Sequence, residues 1–136
     1  MEKHVDAARY STGTNWELIG GFSRAVRVGK FIFVSGTSVT EQEVKGEIGL
    51  DVAEQTNSVL GKIESALQHF GASRKNVVRT RIYIRELEHW ESVAKAHGQF
   101  FQGVRPANTL VQAGLIGEGI LVEIEADAIL GEDDEI

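Results

Sequence analysis

The sequence predicts a single α+β domain in which a mixed sheet of about six strands carries two helices on one face. Residues 52–70 and 88–102 place apolar side chains at helical spacing. Several shorter runs are rich in β-branched residues or alternate in polarity, as strands do. These runs span 23–28, 31–35, 77–84, 107–113 and 120–130. With 136 residues, the chain 1–136 has room for one core and one domain.

The first two strands form a predicted hairpin, because Gly29 and Lys30 make a tight turn between residues 28 and 31. A further strand is expected near His4 to Tyr10, and residues 36–49 are interpreted as a glycine-containing loop. The following helix ends at Gly71, which tolerates the left-handed conformation of a C-cap. The expected order is β-β-α-β-α-β-β.

Two strands predict a polar face on the sheet. In residues 77–84, Arg79, Arg81 and Tyr83 alternate with Val78, Thr80, Ile82 and Ile84. In residues 120–130, Glu123, Glu125 and Asp127 alternate with Val122, Ile124, Ala126 and Ala128. Two helices cover only one side of such a sheet. The other side, which mixes both charges with apolar residues, is therefore expected to be a subunit interface or a polar ligand cleft.

Composition argues against several classes of function. The chain has 14 basic and 20 acidic residues, a net charge of −6, and part of this excess lies in the acidic tail 131–136. Nucleic acid is thus an unlikely primary partner. There is no cysteine, and no segment approaches the roughly 18 apolar residues of a membrane span. No signal peptide is recognised at the N-terminus, so a cytoplasmic protein without membrane association is expected.

Familiar catalytic and cofactor motifs are not found. The four histidines form no metal-binding pattern, so neither a metal nor another cofactor is predicted. His97 is interpreted as a half-buried core histidine with one hydrogen-bond partner. Residues 114–119 are glycine-rich but precede a strand, so they are interpreted as a turn and not as a phosphate loop.

Three short motifs stand at strand ends or on the polar face of the sheet. They are Ser35-Gly36-Thr37, Arg105-Pro106-Ala107-Asn108-Thr109 and Glu123-Ile124-Glu125-Ala126. Each alone has a structural interpretation: a turn, a strand start after proline, and solvated carboxylates. The three motifs together indicate a protein family more specifically than any one of them does alone.

Together with other segments, these motifs resemble the YjgF/RidA (reactive intermediate deaminase) family, also known as the L-PSP endoribonuclease family. The resemblance extends from about Gly20 to Ile129. The segments that carry it are Gly20-Gly21-Phe22-Ser23, Phe33-Val34-Ser35-Gly36, Gln55-Thr56, Gly71-Ala72-Ser73, Val77-Val78-Arg79-Thr80, Phe100-Phe101, Arg105-Pro106-Ala107 and Val122-Glu123-Ile124-Glu125-Ala126.

The resemblance implies a chorismate-mutase-like fold that assembles into a homotrimer, with a central barrel and three clefts between subunits. It also implies cofactor-free hydrolysis of enamines and imines to carbonyl compounds and ammonia. Glu123 matches the family glutamate that positions water or moves a proton. Ser35 and Gly36 match a backbone-lined pocket wall, and Phe22 stands where many members have tyrosine.

One position departs from the family pattern. Asn108, followed by Thr109, occupies the place of an arginine that grips the substrate carboxylate in the family. Asparagine donates only uncharged hydrogen bonds, so a substrate that depends less on an α-carboxylate is expected. Alternatively, an arginine of a neighbouring subunit compensates, with Arg24, Arg79 and Arg81 as candidates. The first functional hypothesis is a homotrimer whose intersubunit clefts bind a small carbonyl, imine or carboxylate metabolite, with hydrolysis of enamines and imines as its candidate activity. A non-catalytic metabolite sensor or interaction protein is the second hypothesis, and an endoribonuclease is the third.

Overall fold

The computed structural model describes residues 6–46 and 50–131, so the predicted beginning of a strand at His4 and the acidic residues after Gly131 lie outside the described residues. The strands are β1 (Ala8–Tyr10), β2 (Ala25–Val28), β3 (Phe31–Thr37), β4 (Val77–Ile84), β5 (Ala107–Gln112) and β6 (Val122–Ile129). The α-helices are α1 (Asn15–Gly20), α2 (Glu41–Gly46), α3 (Val52–His69) and α4 (Trp90–Phe100). Single turns of 3-10 helix cover Arg74–Asn76 and Leu87–His89.

All six strands belong to one mixed sheet, as the sequence predicted. Their order across the sheet is β1-β2-β3-β6-β4-β5. Every neighbouring pair is antiparallel except β4 and β5, which run parallel. The last strand of the chain therefore lies in the middle of the sheet, between the hairpin strand β3 and strand β4.

The long helices α3 and α4 cover one face of this sheet. Asp51 caps α3, and Asp51 and Glu54 exchange the two hydrogen bonds of a capping box. Fully buried Leu60 and Ile63 of α3 join buried Ile124 of β6 in one hydrophobic core. Burying each such side chain contributes about 1.5–3 kcal/mol, so this contact fixes the helix face against the sheet.

The prediction of two covering helices is confirmed, but the structure adds two short helices. The helix α1 precedes the hairpin, and α2 lies in residues that were predicted to be loop. Trp90, one of the apolar residues at helical spacing in 88–102, is 52% exposed and not part of the buried face of α4. No helix in residues 6–46 or 50–131 is both long and apolar enough to cross a lipid bilayer.

The prediction that Val78 shares a face with Thr80 is wrong. The register between β4 and β6 shifts between Val77 and Arg79, which pair with Ala128 and Asp127. Val78 is thus an extra residue in a β-bulge, and it is 44% exposed whereas Val77 is buried. A bulge moves the residues before it to the opposite face of the strand. The alternation predicted from Thr80 to Ile84 therefore does not continue back through Val78.

The face of the sheet opposite α3 and α4, called here the open face, carries both charged and apolar side chains. Arg81 forms ion pairs with Asp127 at 3.2 Å and Glu125 at 3.5 Å, and the Tyr83 hydroxyl donates to Glu125. Around these charges lie apolar side chains that are 39–53% exposed: Phe31, Phe33, Val78 and Ile129. The alternation in β4 and β6 predicted this mixture.

Candidate functional site

A second β-bulge shapes the candidate site. The register between β3 and β6 shifts between Val34 and Thr37, which leaves Ser35 and Gly36 out of regular pairing. The Ser35 hydroxyl donates to the carbonyl of Ser23 at 2.7 Å, and this contact ties the bulge to the chain that enters β2. Bulges re-aim nearby groups, and Gly36 lies within this one, beside the side chain of Glu123 on β6.

The carboxylate of Glu123 lies directly against Gly36. A Cβ atom added at Gly36 would stand 2.8 Å from Glu123 Oε2, closer than real Cβ contacts allow. Only glycine leaves this space open. Glu123 is half-buried, and this burial raises the pKa of its carboxyl group; nearby Arg24 opposes the shift and Glu125 adds to it. A carboxyl group with a raised pKa is suited to proton transfer closer to neutral pH.

Arg24 completes the surroundings of Glu123. Its Nη2 donates to the carbonyl of Gly36 at 2.8 Å, and its guanidinium carbon lies 5.7 Å from the centre of the Phe22 ring. Its Nε is buried and has no hydrogen-bond partner in the described part of the chain. The five residues Phe22, Arg24, Ser35, Gly36 and Glu123 are called the Glu123 cluster below.

The buried carboxylate of Glu17 holds in place the segment of chain that precedes Phe22. Glu17 is only 3% exposed and accepts hydrogen bonds from Ser11, Thr12 and Thr14 at 2.6–3.1 Å. Burial alone raises its pKa, but these hydrogen bonds outweigh burial and lower the pKa to about 2. The Glu17 carbonyl accepts the backbone N–H of Phe22 at 3.0 Å. The sequence analysis missed this anchor, although threonine three residues before glutamate is a capping signal.

Asn108 lies on the edge strand β5, away from the Glu123 cluster. Its Nδ2 donates to Thr80 Oγ1 at 2.9 Å, and Thr80 Oγ1 lies 2.8 Å from Nε2 of His97. Since the hydroxyl accepts from Asn108, its own proton is directed to His97 Nε2. Burial lowers the pKa of His97 and favours this neutral form. The interpretation of His97 as a half-buried residue with one hydrogen-bond partner is confirmed.

Thr109 points to the other side of β5 from Asn108. Its hydroxyl accepts a hydrogen bond from Arg79 on the open face. Strand β4 lies between β5 and β6, so both residues are separated from Glu123. Within one chain, the structure thus brings together Phe22, Ser35, Gly36 and Glu123, but it does not bring Asn108 or Thr109 to them.

Two clefts adjoin these groups. A groove of about 440 Å³ lies beside Asn108 and is also lined by His97, Phe101 and Pro106. A larger cleft of about 830 Å³ includes Arg24 in its wall. Among residues 6–46 and 50–131, no three histidine or carboxylate side chains are grouped so that they could hold a metal ion.

The chain is similar to known proteins along nearly its whole length. A family model described as endoribonuclease L-PSP matches residues 12–130. The solved structure of a YjgF/YER057c/UK114 family member from Mycobacterium tuberculosis is 40% identical, with a TM-score of 0.83 over 92% of this chain and all of that one.

Two curated relatives cover slightly less of the chain, between 81% and 83%. A RutC family protein of Pyrococcus abyssi is 32% identical over 81% of this chain and 87% of its own length. The 2-iminobutanoate/2-iminopropanoate deaminase of Rattus norvegicus is 30% identical over 83% of this chain and 82% of its own length. The family match includes the Glu123 cluster and the strand of Asn108.

Proposed function

Because the chain belongs to the endoribonuclease L-PSP (YjgF) family, we propose that it hydrolyses small imines, and enamines that tautomerise to imines, to carbonyl compounds and ammonia without a cofactor. The observation that carries this proposal is the half-buried Glu123 carboxyl group against the backbone of Gly36. The name of the rat relative, an imino acid deaminase, supports the same chemistry.

The proposed mechanism uses Glu123 as a base and then as an acid. Water adds to the carbon of a protonated imine, and Glu123 accepts the proton that the water loses. Glu123 then returns this proton to the nitrogen of the carbinolamine, and the carbon–nitrogen bond breaks. The hydroxyl proton passes to the departing ammonia, so a carbonyl compound and ammonium are formed. The raised pKa of Glu123 suits both transfers near neutral pH.

The proposed functional unit is a homotrimer in which a second copy completes each site. The open face exposes Phe31, Phe33, Val78 and Ile129, and apolar groups of this size favour burial against another protein surface. Glu123 belongs to β6 in the middle of the sheet, whereas Asn108 and Thr109 lie on the edge strand β5. We expect the β5 edge of one subunit to face the Glu123 cluster of the next.

In this arrangement Asn108 offers uncharged hydrogen bonds to the ligand from the β5 side of the intersubunit cleft, and Thr109 contributes from the opposite side of the same strand. Thr80 and His97 hold the Asn108 amide in place through the observed hydrogen bonds. An uncharged amide binds a carboxylate less strongly than an arginine does. Imino acids derived from amino acids are therefore expected to be weaker substrates. The alternative function is a metabolite sensor of the same fold, which binds a small ligand without turning it over. A cytoplasmic location remains part of the proposal.

The decay of imines generated in solution tests this function. An amino acid oxidase can produce 2-iminopropanoate, and synthetic imines without a carboxylate can extend the panel. We expect the protein to accelerate the decay by about 100-fold or more, the usual scale of acid–base catalysis. No acceleration across the panel would contradict hydrolysis and favour the sensor. Cleavage of RNA at physiological salt would instead support an endoribonuclease, which the net charge of −6 disfavours.

A further inference from the structure

We propose that Asn108 selects a ligand that carries a primary carboxamide and disfavours a carboxylate at the same place. The selection depends on the hydrogen bonds that Thr80 and His97 impose on the Asn108 amide. The inference rests on the proposed function, because it assigns a substrate class to the intersubunit cleft. The substrate is then an uncharged 2-imino amide, which hydrolysis converts to a 2-oxo amide and ammonia.

The hydroxyl group of Thr80 sets the orientation of the Asn108 amide. Thr80 is fully buried, so its hydroxyl group finds its partners within the protein. Oγ1 of Thr80 accepts from Nδ2 of Asn108 at 2.9 Å and lies 2.8 Å from Nε2 of His97. Because a hydroxyl group has one proton, that proton is donated to Nε2. His97 is therefore the neutral tautomer with its own proton on Nδ1.

The same chain of hydrogen bonds leaves the carbonyl oxygen of Asn108 for a ligand. One N–H of Nδ2 is used by Thr80, and Oδ1 lies on the other branch of the amide. In the part of the chain that the structure describes, Oδ1 accepts no hydrogen bond. Asn108 is exposed and lines the groove of about 440 Å³ together with His97 and Pro106. Position 108 thus offers a free acceptor beside one remaining N–H donor.

A primary carboxamide is the chemical group that matches this edge of Asn108. It carries an N–H donor for Oδ1 and a carbonyl acceptor for the remaining N–H of Nδ2. A carboxylate carries only acceptors, so its oxygen atoms repel Oδ1 and leave it unpaired. An arginine at this position would present only donors and would favour the carboxylate. Asparagine therefore reverses the hydrogen-bonding preference of the position as well as removing its charge.

Arg105 is the competing group in the same groove. It lies in the groove wall three residues before Asn108, and its side chain is exposed. A carboxylate gains little from an exposed cation, because water and salt screen the charges. The Asn108 amide, in contrast, is held in one orientation by a buried partner. We therefore expect the selectivity to depend on Asn108 and not on Arg105.

Binding of two matched compounds to the unaltered protein tests this selectivity. The stable analogues of an imino acid and of its amide are 2-oxobutanoate and 2-oxobutanamide, which differ only in the carboxylate or carboxamide group. In calorimetry, we expect the amide to bind about tenfold or more tightly than the acid. Tighter binding of 2-oxobutanoate, equal binding of the two compounds, or no binding of either would overturn the proposal.

Substitutions in the groove identify the residue responsible. Asn108→Arg should reverse the preference, so that 2-oxobutanoate binds about tenfold or more tightly than the amide. Asn57→Arg is the matched control, because Asn57 is exposed on α3 and does not line the groove. This control and Arg105→Gln should both keep the preference for the amide. A preference that survives Asn108→Arg, or that Arg105→Gln abolishes, would contradict the role of Asn108.

Thr80 and His97 act through Asn108 and are therefore positioning residues. Thr80→Val removes the hydroxyl group with little change in shape, so the affinities for the two analogues should come within about threefold of each other. Thr80→Ser keeps a hydroxyl group and should keep the preference for the amide. A merely structural role would weaken the binding of both compounds without changing their ratio. An unchanged ratio in Thr80→Val would reject the positioning role.

The tautomer of His97 can be measured in the unaltered protein, so this result does not depend on how the variants fold. Nitrogen NMR of the imidazole ring at neutral pH should show a proton on Nδ1 and none on Nε2. A proton on Nε2 would mean that His97 donates to Thr80 and that Thr80 donates to Oδ1 of Asn108. The Nδ2 group, and not Oδ1, would then be left for the ligand, and the proposal would be overturned.

The outcomes for the two proposals can be told apart. Imine decay without a preference for the amide would leave hydrolysis standing and reject the role of Asn108. A preference for the amide that depends on Asn108, without any imine decay, would keep the binding site and reject hydrolysis.

Discussion

Replacing Glu123 by glutamine should reduce imine hydrolysis by about 10²- to 10⁴-fold, the range that acid–base catalysis contributes. Glutamine keeps the size and hydrogen-bonding capacity of the side chain but cannot accept or return a proton. Initial rates of ammonia release from imines generated in solution measure the effect. Stability should be unchanged or higher, because burial raises the pKa of Glu123 and the neutral amide avoids the cost of a half-buried charge.

A control variant separates this effect from a general loss of negative charge. Glu91 lies on the outer surface of α4 and pairs with Lys95 at 3.0 Å, so Glu91→Gln should leave the rate unchanged. A Glu123→Gln protein as active as the original would remove Glu123 from the mechanism.

Replacing Gly36 by alanine should reduce hydrolysis by about 10- to 100-fold while leaving the fold nearly intact. The new Cβ atom would lie 2.8 Å from Glu123 Oε2, so the carboxylate must move, and small displacements of a catalytic group have effects of this size. The displaced atoms belong to the end of a flexible side chain, and Gly36 has no positive φ angle. Thermal unfolding and imine decay, measured on the same sample, distinguish stability from activity.

Gly61→Ala is the matched control for this substitution. Gly61 lies in α3, and a Cβ atom there would meet nothing within 4 Å. Alanine should raise stability by about 0.5–1 kcal/mol without changing the rate. Full activity of Gly36→Ala would show that the contact between Gly36 and Glu123 does not set the position of the catalytic carboxylate.

The strongly periodic segments made most of the fold predictable. The alternation in β6 is regular from Val122 to Ile129, and its even-numbered residues pack in the core from Val122 to Ala128. The pattern failed at Val78, because a bulge inserts one residue without any change in composition. The short helices were missed because six residues give little periodicity, although Thr14 and Glu17 carried a capping signal for α1.

The candidate site was only partly predictable for a topological reason. The resemblance identified Glu123 and Asn108, but the order of strands across the sheet is not encoded in any local pattern. Because β6 enters between β3 and β4, Glu123 meets the hairpin residues and is separated from Asn108. The sequence left Arg24 as one of three candidate arginines, and the structure shows that its guanidinium donates to the carbonyl of Gly36 within the bulge.

The central claim is that each chain holds one part of a hydrolytic site and that a neighbouring copy supplies the other. A crystal structure of the assembled protein with 2-oxobutanoate tests this most directly. We expect three copies in a ring, with the ligand between Glu123 of one subunit and Asn108 of the next. A ligand bound away from Glu123, or an assembly in which Asn108 and Glu123 of different subunits stay apart, would contradict the claim.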